Sequence, residues 1–183
     1  MGNISRRIKS MFASQKKIWQ HFANSIGAEY VDSGLFKAAV ITKQLDWGEI
    51  TIDSYSKMKG RASVTYTRFQ TECLNPKNLQ FRVDRKTLLN SRAPKGLEKI
   101  ITEYADFDRS FRLFASEKRE TKRLLNRRIL SNISRQEPFR DLRIELKENN
   151  LLLRIASLNK DLEQLKSLFK LVETLHDQID SEY

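Results

Sequence analysis

This 183-residue sequence predicts an α+β fold, and three observations lead there. Apolar residues recur at steps of three and four up to Ile26, alternate from Ala28 onward, and return to helical spacing in a Leu-rich C-terminal stretch. Strands gathered in mid-chain with helices at the ends and between them suit an antiparallel sheet with helices packed on one face. The predicted order is a basic amphipathic N-terminal helix, a β-meander, and a β-α-β-β-α unit.

Ile4, Ile8, Met11, Phe12, Ile18, Trp19, Phe22 and Ile26 fall on one helical stripe. Ser14 suits the N-cap of a helix running to about Ile26, and Gly27 its stop. Residues 1–14 therefore form a basic amphipathic arm, and 15–183 a single α+β domain. Residues 36–42 and 49–55 read as strands, with Lys57-Met58-Lys59-Gly60 as the following turn. Ala62, Val64 and Tyr66 then alternate with Ser63, Thr65 and Thr67, and residues 79–85 place Phe81 and Val83 against Arg82 and Asp84. These four strands make the meander. Asn90 to Gly96 is a loop. Beyond it, 110–114 is a short strand, 117–133 a helix, and 141–147 with 151–156 a hairpin around Glu148-Asn149-Asn150. Asn159 suits the cap of the last helix, whose stripe is Leu162, Leu165, Leu168, Phe169, Val172, Leu175 and Ile179.

The net charge is +11, with 34 basic against 23 acidic side chains. The excess lies in residues 1–26, which hold no acid, and in 61–135, whereas 136–183 is net acidic. Such asymmetry points to an anionic partner. A single cysteine, Cys73, leaves no intramolecular disulfide and fits a reducing compartment. No apolar run is long enough to span a bilayer. The N-terminus lacks the apolar core of a signal peptide. The expected place is the cytoplasm, with peripheral contact at the inner membrane face.

Catalytic signatures are sparse. His21 and His176 stand far apart, no Cys/His set has metal-ligand spacing, and the six single glycines build neither a P-loop nor a dinucleotide fingerprint. His176 reads as a packed residue and Cys73 as an inert thiol. Glu103, Asp106 and Asp108 form the one acid cluster, and Arg109 and Arg112 beside them favour structural pairing over a metal. No metal and no cofactor is expected. Gly2 invites a check for myristoylation, but Arg6 stands where that pattern wants Ser or Thr.

Two cationic features carry more weight. The arm sets Arg6, Arg7, Lys9, Lys16 and Lys17 beside Ile4, Ile8, Met11 and Phe12, the composition of a helix lying in a bilayer interface. The helix at 117–133 repeats Arg119, Arg123 and Arg127 every four residues with Lys122 alongside, a ridge suited to phosphate backbones. The leading expectation is thus a non-catalytic binding or scaffold protein docking on an anionic surface, a membrane face or a protein complex, through the arm. The alternative is a nucleic-acid-binding module using the ridge. A third is an enzyme whose small-molecule site gathers Arg68, Asp106 and Asp108.

Trp19 in the first helix, Ile26-Gly27-Ala28, Asp46-Trp47 before a strand, Tyr66-Thr67-Arg68, and Phe107-Asp108 followed by Phe111 resemble uncharacterised bacterial α+β proteins over residues 15–180. The resemblance implies a fold and a bacterial-type origin without an assigned activity. It makes Phe107 and Phe111 core anchors and Thr67-Arg68 the one matched polar pair.

Overall fold

The computed structural model describes residues 15–32, 38–87, 92–136, 139, 141–156 and 161–181. Helix α1 (residues 15–25) buries Trp19, Phe22 and Ala23. It ends where Gly27 turns to φ +61°, and the Ala28 amide closes onto the Ala23 carbonyl at 2.8 Å. Four strands follow: β1 (Glu29–Val31), β2 (Val40–Leu45), β3 (Gly48–Lys59) and β4 (Ala62–Glu72). Then come β5 (Phe81–Arg85), β6 (Glu98–Ile100), α2 (Ala105–Ser110) and β7 (Phe111–Ala115). The chain continues through α3 (Lys118–Leu124), α4 (Arg127–Ser134), β8 (Arg143–Lys147), β9 (Asn150–Ile155) and α5 (Leu162–Ser181).

All nine strands form one antiparallel sheet in the order β1-β2-β3-β4-β9-β8-β5-β7-β6. The fold is α+β. The meander, however, comprises β1 to β4, and the strand expected as its fourth member, β5, is separated from β4 by the β8–β9 hairpin. Alternation within a strand fixes its faces but carries no information on its neighbours.

The register aligns one apolar row across the whole sheet: Tyr30, Ile41, Ile52, Phe69, Leu153, Ile144, Val83, Leu113 and Ile100, one residue from each strand. Seven members of the row, Ile41 to Leu113, are at most 1 % exposed. Among the described residues, each of the five helices puts buried apolar residues into the same cluster, so they cover one face and none of them lies on the other. Phe107 and Phe111 stack within this core, ring centroids 5.5 Å apart.

The helix expected at 117–133 is two helices. Leu125, at φ −84° and ψ 62°, leaves the helical region, and the Asn126 side chain accepts the amides of Arg128 and Ile129 to start α4. Neither Gly nor Pro marks the break. At 100° per residue, Leu124, Leu125, Ile129, Leu130 and Ile133 would spread over about 240° of one straight helix, wider than a single apolar face. Breaking the helix lets all five bury. At the C-terminal end, Asp161 caps α5 by accepting the amides of Glu163 and Gln164 at 2.9 and 3.1 Å. The expected cap, Asn159, lies outside the described residues.

Candidate functional site

The cations and apolar residues of the arm, Arg6, Arg7, Lys9, Ile4, Ile8, Met11 and Phe12, lie outside the described residues. Lys16 and Lys17 belong to α1, where both are exposed, and Lys16 pairs with Asp32 just after β1. With Trp19 and Phe22 fixed in the core, α1 from residue 15 onward is a structural helix of the domain.

The break at Leu125 divides the ridge. Arg119, Lys122 and Arg123 stay on α3, while Arg127 opens α4. Arg123 pairs with Glu120 at 3.0 Å, and Glu120 also accepts from Lys77 at 3.2 Å. Those cations hold the Glu120 carboxyl below its ordinary value, the Lys77 hydrogen bond contributing most. Lys122 and Arg127 turn instead toward a cleft of about 530 Å³ between α2, α3 and α4, floored by Leu113, Leu125 and Leu130. There Lys122 pairs with Glu103 at 2.7 Å, and Arg127 lies 5.7 Å over the Tyr104 ring. A continuous cationic ridge does not form.

The constellation of Arg68, Asp106 and Asp108 is not assembled. Arg68 is on the sheet face opposite the helices, whereas Asp106 and Asp108 belong to α2 on the helical face. The Asp108 carboxylate accepts the amides of Thr102 and Glu103, with distances of 3.0–3.2 Å, and Asp106 meets Arg109 at 3.4 Å. Arg112 lies across the sheet from this cluster, donating to the Thr87 carbonyl at 3.2 Å. No group of three His, Cys, Asp or Glu side chains among the described residues is placed to hold a metal. Cys73 is buried, and burial, with Asp180 and Glu72 nearby, pushes its thiol up to about 12.

The face opposite the helices holds what the sequence did not reveal. One row beside the apolar one runs Asp53, Arg68, Arg154, Arg143, Asp84, Arg112 across β3, β4, β9, β8, β5 and β7. Arg68 grips Asp53 through Nε (2.9 Å) and a shorter Nη2 bond. Asp84, 2 % exposed, accepts from Arg143 Nε at 2.7 Å and from Arg82 Nε at 2.7 Å. Arg154 donates from Nη1 to the Tyr55 hydroxyl at 3.0 Å and lies 5.1 Å over the Tyr66 ring. Arg68 lies 5.2 Å over Tyr55, and the two tyrosines stack with centroids 5.3 Å apart. The alternation of each strand signalled a polar face, but meeting of these arginines depends on β9 and β8 lying beside β4.

This cluster stands at the root of a projecting hairpin. Pairing of β2 with β3 ends at Asp53 and pairing of β9 with β4 ends at Thr67, so, among the described residues, 54–59 and 62–66 pair only with each other. Gly60 makes the turn at φ +62°. Met58, near the tip, is 63 % exposed, and the segment from Ser54 to Tyr66 contains Lys57, Lys59 and Arg61 with no acid.

No protein-family model matches the chain, nor does any curated protein, in keeping with the resemblance to uncharacterised bacterial α+β proteins. Among solved structures it is similar to the crystal structure of the mycobacterial trehalose monomycolate transport factor A, TtfA. Identity is 12 %, the TM-score is 0.60, and the likeness covers 90 % of this chain and 94 % of that one. It is a likeness of fold. No helix among the described residues is long and apolar enough to cross a membrane.

Proposed function

We propose that this chain is a non-catalytic binding protein that docks on the anionic cytoplasmic face of a membrane, using the basic arm of residues 1–14 together with the tip of the β3–β4 hairpin. The observation that carries this reading is Met58, exposed at the end of a two-stranded projection between Lys57 and Lys59. An apolar side chain flanked by cations matches the interface of an anionic bilayer: the thioether enters the acyl boundary while the ammonium groups stay among headgroups. Each cation near such a surface contributes about 1 kcal/mol. Lys57, Lys59 and Arg61 together therefore supply about 3 kcal/mol, and Arg6, Arg7 and Lys9 about as much again. Neither element alone would hold firmly, so two contacts acting together suit reversible docking. The structural neighbour is named as a transport factor, which lends a binding role support by fold likeness alone.

The test is flotation of the full chain with vesicles of neutral phosphatidylcholine, with and without phosphatidylglycerol, at about 0.1 M salt. The chain is expected to float only with the anionic vesicles. The double variants Lys57→Glu with Met58→Glu, and Arg6→Glu with Arg7→Glu, should each remain at the bottom. Flotation that ignores lipid charge, or none at all, overturns the reading; so do variants that float like the parent chain. If the parent instead binds single-stranded or duplex DNA under the same conditions, the nucleic-acid alternative takes its place.

A further inference from the structure

We propose that the sheet face opposite the helices carries a binding site for a phosphate-class oxyanion, centred on Arg154 and flanked by Arg68, Arg143 and the Tyr55 hydroxyl. The site is separate from the docking contacts at the hairpin tip and in the arm, and does not require them.

Three arginines stand directly opposite one another on adjacent strands, with Arg154 in register with Arg68 on one side and Arg143 on the other. Directly opposed side chains have Cβ atoms roughly 4.5–5.5 Å apart, and like charges so placed repel. The flanking members are neutralised, Arg68 by Asp53 and Arg143 by Asp84. The central one is not: among the described residues no carboxylate pairs with Arg154, whose polar contacts are the Tyr55 oxygen and the Tyr66 ring. Its Nε is buried and has no acceptor among the described residues. A buried N–H without a partner forfeits a hydrogen bond and its hydration together, so native proteins rarely leave one without a ligand or a role.

The class of ligand follows from the charges. Arg68, Arg154 and Arg143 against Asp53 and Asp84 leave positive charge in excess around Arg154. Arg82, in register with Glu145 in the next row, shares Asp84 with Arg143. A phosphate monoester at neutral pH carries about −1.5 to −2, which a single carboxylate cannot match. Its three oxygens can accept from the Arg154 Nε, from a neighbouring guanidinium and from the Tyr55 hydroxyl, which accepts from Arg154 while its own proton remains for donation. Planar guanidinium forks held over tyrosine rings are oriented before any ligand arrives.

The experiment is thermal unfolding of the full chain in chloride, acetate and inorganic phosphate at matched ionic strength. Phosphate at about a hundredfold over its Kd is expected to raise Tm by about 5–10 °C relative to chloride, with acetate close to chloride. Arg154→Gln should lose that rise and, freed of the opposed charges, unfold in chloride at a temperature no lower than the parent. Arg154→Lys, which keeps the charge but not the fork, should lose most of the rise as well. No phosphate-specific rise in the parent overturns the proposal, and so does an undiminished rise in the folded Lys variant. A second arm separates the sources of phosphate by flotation with phosphatidic acid against phosphatidylglycerol. A preference for the monoester that Arg154→Gln abolishes identifies a lipid headgroup; a Tm rise without that preference identifies a soluble phosphate ester. A chain that fails to float yet gains stability from phosphate keeps this site and loses the docking reading.

Discussion

The imidazole of His176 lies flat on the indole of Trp47, ring centroids 3.4 Å apart and planes within 16°. This contact joins α5 to the turn between β2 and β3, while Nε2 of the same ring is 3.1 Å from the Glu72 carbonyl at the end of β4. His176 is 1 % exposed. It is thus one of the points where the last helix meets the meander. Replacing it by Ala should cost about 2–4 kcal/mol, whereas His176→Phe keeps the stack, loses the polar contact, and should cost about half as much. Urea unfolding followed by Trp47 and Trp19 fluorescence measures both; equal losses would mean that stacking contributes little.

Asn126, just past the end of α3, begins α4. Its oxygen caps α4, and its Nδ2 donates to Gln178 of α5 at 3.2 Å. Asn126→Ala should cost about 1–2 kcal/mol, and Asn126→Asp, which preserves the cap, clearly less. Differential scanning calorimetry on the three chains gives the comparison.

Asp84 holds two guanidiniums while almost wholly buried. Asp84→Asn removes the charge that both Arg82 and Arg143 face, and should destabilise by about 2–4 kcal/mol. Adding Arg143→Leu to that variant should recover part of the loss, because one uncompensated cation is then gone. A double-mutant cycle by chemical denaturation reads the recovery directly.

Cys73 links alkaline pH to stability. Its thiol titrates at about 12 in the folded chain against 9.0 as the ordinary value, chiefly because of burial. A raised folded value means that the protonated thiol's contribution is complete below pH 9 and is lost progressively as pH climbs from 9 toward 12. Stability should fall across that window, and Cys73→Ala should flatten part of the fall. Alkylation by iodoacetamide at pH 8 should be slow in the native chain and rapid in denaturant.

Much of this architecture is legible in the residues. The switch of period at Ala28, the alternation around Phe81 and Val83, the Glu148-Asn149 turn and the stripe of the last helix each depend on local spacing, and each has its counterpart in the fold. What the spacing could not convey is adjacency. The repeat of Arg119, Arg123 and Arg127 is continuous only on a straight helix, and burial of Leu124 and Leu125 together with Leu130 forbids one. The strip from Asp53 to Arg112 draws residues from six strands distant in sequence, and it exists only once β8 and β9 occupy the middle of the sheet. Of the candidate docking residues, Lys16 and Lys17 fall on a helix whose other face is core, and the turn expected at 57–60 is instead the end of β3, which runs to Lys59.

The placement of the β8–β9 hairpin bears on how the chain is made. Strand β4 must wait for residues 150–155, about eighty positions later, before its inner edge is paired, and β5 waits for 143–146 on one side. During synthesis the N-terminal meander therefore emerges with an open edge bearing Phe69 and Thr71, a template for pairing with other nascent chains. Closure needs nearly the whole polypeptide, so the slow step of folding should be arrival of this late hairpin, and truncation before residue 155 should yield aggregates instead of a smaller domain.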